Sequence, residues 1–162
     1  MNSATCYTTL PSPVGLLLLT ASAGSLTGLW ISGEKHCPAI SPGWIEDVGA
    51  FAEAAVQLAG YFNGTRHAFQ LPLRPAGTPF QQAAWSALQQ IPYGQTRSYQ
   101  EQAAAIHRPA AVRAIGTANG RNPISIIVPC HRVIGANGAL TGYGGGLDAK
   151  AWLLAHEQKC KP

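Results

Sequence analysis

The chain has 162 residues, 46% apolar and 11% charged, with a net charge of +4. This length and composition fit one ordinary domain, or two small ones around a real core, and exclude a largely disordered chain. The charge is uneven: residues 1–77 hold three Lys or Arg against four Asp or Glu, whereas residues 78–162 hold eight against three.

Met1 to Pro13 carries no basic leader, and the longest aliphatic run, 14–19, is too short to span a bilayer. The sequence therefore predicts a cytoplasmic protein with no membrane partner. Residues 15–20 and 25–31 are β-like runs split by Ala-Ser-Ala-Gly, which predicts a hairpin. Val48 to Phe62 places Phe51, Ala55, Leu58 and Phe62 on one helical stripe and stops at Asn63-Gly64. A third strand is expected at 69–73, confined to an edge by Pro72. Residues 74–77 have linker composition, so the reading divides the chain into a structural N-terminal domain, 1–77, and a C-terminal domain, 78–162.

Thr78-Pro79-Phe80-Gln81 is a capping box with proline in the first turn; it predicts a helix to Gln90, with Phe80, Ala84, Leu88 and Ile91 on its stripe. Ser98-Tyr99-Gln100-Glu101 is a second box, opening a short helix to Ile106. After a break at His107-Arg108-Pro109, with Pro109 in the first turn, a further helix is expected over Ala110–Asn119, stopped by Gly120. Helix, tight turn and helix is a DNA-reading arrangement. On the last of these helices Val112, Ile115, Gly116 and Asn119 share one face, while Ala110, Arg113, Ala114 and Thr117 share the other. The second face is small except for Arg113, so the backbone can approach a groove closely with one long side chain reaching inward. Arg97, Arg108, Arg113, Arg121 and Arg132 are opposed only by Glu101, which suits a phosphate backbone or, equally, a solvated basic face.

Asn122-Pro123 predicts a turn, and Ile124–Val128 a strand that delivers Pro129-Cys130-His131-Arg132. A thiolate is the reactive form of cysteine, and positive neighbours lower a thiol pKa from its usual value of about 8.5. Cys130, beside an imidazole and a guanidinium, therefore reads as a nucleophile rather than a core filler. Cys6, Cys37 and Cys160 have no CxxC spacing and read as free thiols; His36-Cys37 is half a metal site with no second pair, so no metal is expected. Asn137-Gly138 favours a primed turn, and Thr141 to Gly146 is a glycine loop that lacks the GK[ST] of a nucleotide cradle. The final helix, 148–158, is expected to bury Leu147, Ala151, Leu154 and Ala155 and to end near Glu157, a position the helix dipole disfavours by about 0.3–1 kcal/mol.

From Thr78 to Glu157 the motifs Pro79-Phe80-Gln81, Ile91-Pro92-Tyr93-Gly94, Ser98-Tyr99, Arg113-Ala114-Ile115-Gly116, Asn122-Pro123, Pro129-Cys130-His131-Arg132-Val133, Gly142-Tyr143-Gly144-Gly145 and Leu153-Leu154-Ala155-His156-Glu157 follow in order. In these the chain resembles the O6-alkylguanine-DNA alkyltransferases, or methylated-DNA-protein-cysteine methyltransferases, and is most similar to their stand-alone bacterial members. The resemblance implies an α/β (α+β) fold, in which a small ribonuclease-H-like sheet-plus-helix domain precedes a mainly helical domain with a helix-turn-helix. It implies direct-reversal DNA repair, with irreversible, single-turnover transfer of a methyl or larger alkyl group from O6-alkylguanine to the protein's own cysteine, O4-alkylthymine being left open as a second substrate. Cys130 would be the acceptor, His131 the base acting through a water, and Glu157 the group that orients it. Asn122 would brace the turn, and Tyr99 would serve the departing base. Val133, Tyr143 and Gly144 would line the substrate site. Arg113, with Ala114 and Thr117, would enter the minor groove and fill the gap left by an extruded nucleotide. No cofactor is implied. The partner would be double-stranded DNA carrying O6-alkylguanine, bound by a monomer, with cooperative assembly on DNA left open.

Two other functions compete with this one. A thiol hydrolase needs an oxyanion hole for which no motif is present, and adjacent Cys and His side chains in an extended segment point to opposite sides. A non-catalytic module that binds alkylated DNA would have no use for Cys130.

Overall fold

The computed structural model describes residues 4–162; Met1, Asn2 and Ser3, at the start of the segment read for a leader, lie outside it. The first half is built on a four-stranded sheet. Strands β1 (Cys6–Leu10), β2 (Leu17–Ser22) and β3 (Ser25–Ile31) are antiparallel neighbours, and β4 (Ile45–Glu46) adds parallel to β1, giving the order β3-β2-β1-β4. The expected hairpin is β2–β3. Strand β2 is buried at five successive positions, Leu17 to Ala21. Its run of leucines needs no polar alternation because both faces are covered.

Residues 69–73 are not a third strand. They touch the outer edge of β3 through one bridge, where Leu26 N–H donates to the Pro72 carbonyl and Arg74 N–H to Leu26. Proline lends its carbonyl but has no N–H to extend the ladder. The third full strand is β1.

A 3₁₀ turn, Val48–Phe51, leads into α1 (Ala52–Phe62), which Asn63 caps and Gly64 leaves at φ +85°. The stop is where the sequence puts it, and Phe51 and Leu58 are buried as expected, but Ala54 and Tyr61 fill the inner face while Ala55 and Phe62 are half-buried at its edge.

The second half is helical. Helices α2 (Pro79–Leu88) and α3 (Tyr99–Ala105) both begin with the expected capping boxes, in which Thr78 and Ser98 each accept from the N–H three residues on while Gln81 and Glu101 reach back. Helix α4 (Val112–Gly120) starts two residues later than read, because Pro109 belongs to a turn closed by Ala111 N–H to Arg108 O, after His107 at φ +60°. The turn between α3 and α4 completes the helix-turn-helix. A reciprocal amide pair locks it: Gln102 donates to Asn119 Oδ1 at 2.8 Å, Asn119 donates to Gln102 Oε1 at 2.7 Å, and Gln102 also donates to the Ala84 carbonyl of α2.

Residues 124–128 are a tight turn rather than a strand. Ile124 bridges to Leu29 on the free edge of β3, and then Ile127 N–H returns to Ser125 O and Val128 N–H to Ile124 O, with Ile126 at φ +73°. The β-branched run reports burial on every side, not extension. A short parallel pair, β5 (Arg97–Ser98) with β6 (Val133–Ile134), follows the cysteine turn. The turn after it centres on Ala136-Asn137, with Gly138 next at φ +83°, so it is not of the primed type.

Helix α5 (Leu147–Cys160) closes the fold. Its inward residues are Ala149, Lys150, Leu153 and Glu157; Leu147, Ala151 and Ala155 face solvent. The expected face fails because two of the inward residues are charged and find partners inside. Glu157 also lies within the helix rather than at its end. One core runs through both halves, joining Leu17, Leu29 and Tyr61 to Trp85, Val128 and Leu153. The architecture is α+β, a mixed sheet followed by a helical half. Among the described residues no helix is long and apolar enough to cross a membrane.

The amide pair yields a test of how the reading helix is held. Asn119→Ala leaves Gln102 buried with an unmet partner, which costs about 1–3 kcal/mol. Urea unfolding should show that loss; unchanged stability would mean that the pair does not lock α3 to α4.

Candidate active site

The site is built where the edge of β3, the turn 122–132 and α5 converge. Leu29 pairs with both sides of Ile124, donating to Pro123 O at 2.8 Å and accepting from Ser125 N–H at 2.9 Å. The sheet thereby fixes the start of the turn. Asn122, itself buried, fixes its end: Nδ2 donates to the Val128 carbonyl at 2.8 Å and Oδ1 accepts from Ile124 N–H at 3.0 Å. Pro129 then opens a single 3₁₀ turn, Cys130–Arg132.

That turn sends three side chains into the protein. His131 is 0% exposed and Arg132 7%. Both meet Glu157, which is 1% exposed and projects from α5. His131 Nε2 lies 2.7 Å from Oε2, Arg132 Nε donates to Oε1 at 2.8 Å, and Arg132 Nη2 donates to Oε2 at 3.1 Å. Tyr61 Oη from α1 donates to Oε2 at 2.7 Å, and Gly94 N–H donates to Oε1 at 3.3 Å. The guanidinium also donates to the Ile91 carbonyl at 2.8 Å and lies 5.6 Å from the Tyr93 ring centroid.

Burial opposes the charge on Glu157, but the hydrogen bonds and charges of His131 and Arg132 outweigh it and hold the carboxyl well below the usual range. For His131 burial dominates and pulls the pKa down, helped by Arg132 and Lys150, while Glu157 pulls it up. Arg132 already neutralises the carboxylate, so the imidazole stays neutral. A carboxylate can only accept, which puts the imidazole proton on Nε2 and leaves a lone pair on Nδ1. That Nδ1 is buried and has no hydrogen-bond partner among the described residues. It is a base held in one orientation by a third group.

Cys130 is 7% exposed. Its thiol is not lowered by its neighbours as the sequence suggests. Burial pushes the pKa up to about 11, with Glu34 adding to the rise, against smaller opposing effects of Asn122 and Lys150. Arg132 gives no help because it faces Glu157. At neutral pH only about 10⁻⁴ of such a thiol is ionised, so chemistry at this sulfur needs a base.

Lys150 was not among the residues singled out from sequence. Fully buried on α5, it donates to the Val133 carbonyl at 2.6 Å and the Thr141 carbonyl at 2.8 Å, tying the strand after the cysteine to the glycine loop. Burial lowers its pKa, and Cys130 raises it. Its sequence signal was its spacing of seven from Glu157 on one helical face. Tyr61, from the other half, gave no signal.

The remaining sequence-derived residues fall into two groups. Tyr99, at the first position of α3, donates to the Thr141 carbonyl at 2.9 Å, and Gly142 lies beside its hydroxyl. The Tyr143 hydroxyl is buried without a partner among the described residues, while Gly144 packs on Glu34. Val133 is fully buried, with its carbonyl taken up by Lys150. Arg113, Ala114 and Thr117 are exposed on α4 as expected, along a groove shared with Phe80 and Gln81 of α2. Of the five arginines read as one basic set, Arg132 is withdrawn into the core; Arg108, Arg113 and Arg121 are exposed, and Arg97 is half-buried. All four cysteines are free thiols.

Comparison with known proteins matches residues 79–159 to the family described as 6-O-methylguanine DNA methyltransferase, DNA binding domain, and residues 5–75 to its ribonuclease-like domain. The methylated-DNA--protein-cysteine methyltransferase of Mycolicibacterium paratuberculosis is 52% identical over 96% of this chain and 94% of its own length. The protein of the same name from Methanosarcina barkeri is 50% identical over 94% and 96%. A crystal structure of Mycobacterium tuberculosis OGT in complex with DNA superposes with a TM-score of 0.89 at 51% identity, covering 97% of this chain and 95% of that one.

Removing the Glu157 charge strands a buried guanidinium. Glu157→Gln should cost about 3–5 kcal/mol at neutral pH in urea unfolding. The depressed pKa makes the wild-type advantage full above the ordinary carboxylate value of 4.5, narrowing only as pH falls well below it. Equal stabilities at neutral pH would contradict this geometry.

Proposed function

The chain belongs to the 6-O-methylguanine DNA methyltransferase family, and on that premise we propose that Cys130 is the acceptor through which it repairs alkylated DNA. It binds DNA and transfers an alkyl group from it to a cysteine of its own. The observation that carries the residue assignment is His131, bonded through Nε2 to Glu157 with Nδ1 unpaired, next in the chain to the buried thiol of Cys130.

In this reading the substrate is O6-alkylguanine in duplex DNA. His131 Nδ1 takes the Cys130 proton through a bridging water, and Glu157 stabilises the imidazolium that forms. The sulfur attacks the alkyl carbon in line. A C–S bond forms, the C–O6 bond breaks with its electron pair going to the guanine, and Tyr99 gives the departing base a proton or a hydrogen bond. Displacement at saturated carbon needs no oxyanion hole. The product thioether does not return the group, so each molecule acts once. Asn122 holds the turn, Tyr143 and Gly144 close over the base with Val133 behind them, and Arg113 fills the gap that the extruded nucleotide leaves in the stack, with Ala114 and Thr117 on the same helix face. The protein works as a cytoplasmic monomer, 1–77 as scaffold and 78–162 as the DNA-binding and transfer unit, without a cofactor.

Incubation with duplex carrying O6-methylguanine should add one methyl group per molecule, found by mass spectrometry on the peptide that holds Cys130. Cys130→Ser should lose the adduct and keep duplex binding. Turnover without adduct would favour a hydrolase, and binding without adduct a lesion-recognition module. Extruding a nucleotide costs a few kcal/mol, so Arg113→Ala should slow transfer from duplex about tenfold or more while leaving reaction with free O6-alkylguanine unchanged. Equal slowing on both substrates would remove Arg113 from the extrusion step.

A further inference from the structure

The end of β3 meets the glycine loop at two places. A Cβ built on Gly144 would stand 2.8 Å from Glu34 Oε2, and one on Gly145 would stand 2.6 Å from Ile31 Cδ1. At both glycines the loop therefore packs directly on side chains of the other half of the protein. Glu34 is itself held from its own strand: Oε1 accepts from Ile31 N–H at 3.0 Å, and Glu34 N–H donates to the Ile31 carbonyl at 3.0 Å. Among the described residues no ion pair neutralises this carboxyl. Burial raises its pKa from 4.5 to about 7, against the lowering effects of the Ile31 N–H and Ser125.

The surrounding groups come from three segments. Cys37 shares its loop, Cys130 lies on the turn after Asn122, and Tyr143 lies in the glycine loop. Each is an acid held in its neutral form by burial first, with Glu34 contributing. Lys150, from α5, is the cation acting on Cys130. Lys35 and His36 line an outward groove with Arg121 and Gly142.

We propose that Glu34 is a positioning residue for alkyl transfer, bracing the Gly142–Gly146 loop from the end of β3 and carrying a charge that acts on the Cys130 thiol. The proposal rests on Cys130 as acceptor. It gives the first half a part in the chemistry that no motif of the second half supplies. Because Glu34 titrates near neutrality, its charge is present above that range, where it restrains thiolate formation, and absent below it. The raised pKa also means that its contribution to stability is full below 4.5 and is lost as pH rises through about 7.

Two full-length variants test this. Glu34→Gln keeps the shape and removes the charge; Glu34→Ala removes both. Iodoacetamide labelling of Cys130 without DNA, read by mass spectrometry of its own peptide across the neutral range, should be several-fold faster in Glu34→Gln than in wild type above neutral pH, with the two converging below it. Glu34→Ala should transfer from alkylated duplex several-fold more slowly while binding unmodified duplex as wild type does. Superimposable labelling profiles for wild type and Glu34→Gln, or unchanged transfer in Glu34→Ala, would overturn the proposal. Should wild type itself take no adduct from alkylated DNA, the acceptor assignment fails instead, and the labelling comparison still reads the charge of Glu34.

Discussion

Five hydrogen bonds converge on the carboxylate of Glu157, and most of the protein is arranged around them. They come from α1 through Tyr61, from the segment after α2 through Gly94, and from the cysteine turn through His131 and twice through Arg132. A carboxylate at this depth is costly unless each lone pair is met, because its attraction to one cation seldom repays the loss of water. Here a guanidinium supplies the charge and three neutral donors supply the rest. The outcome is chemical as well as structural: with Arg132 balancing Glu157, His131 has no need to be charged and keeps a free nitrogen. The same contact docks α5 and prepares a base.

Burial of the Cys130 thiol fits this economy of charge. A thiol lowered by exposed cations would be open to any electrophile, whereas one raised to about 11 is inert until its proton is removed. In the proposed reaction, reactivity then depends on the path to His131 and not on the sulfur alone. Lys150 contributes a second buried charge, held by the Val133 and Thr141 carbonyls, so that the strand after the cysteine and the glycine loop are tied to one helix. Glu34, just past the end of β3, acts on the Cys130 thiol in the opposite sense to Lys150, so charges from both halves of the chain bear on it.

Much of this was legible in the sequence where local chemistry decides the outcome. The capping boxes at Thr78 and Ser98, the stop at Asn63-Gly64, the small face of α4 and the turn at Asn122 all depend on residues within a few positions of one another. Failures came where tertiary contacts override local pattern. Ile124–Val128 has strand composition, but Asn122 supplies two of its backbone partners and folds it into a turn. The inward face of α5 differs from the apolar one expected because Lys150 and Glu157, though charged, find their partners inside. The thiol pKa rises instead of falling because Arg132, adjacent to Cys130 in sequence, is aimed by the 3₁₀ turn at Glu157. Tyr61 and Glu34 come from the other half, and only the fold brings them to the site.

The central claim is that Glu157 fixes His131 as a neutral base with its proton on Nε2 and its lone pair on Nδ1. Nitrogen-15 NMR of the imidazole, with the signal assigned by a His131→Gln variant, measures this directly. The account predicts the neutral Nε2–H tautomer in the DNA-free protein at neutral pH. An imidazolium, or a proton on Nδ1, would contradict it.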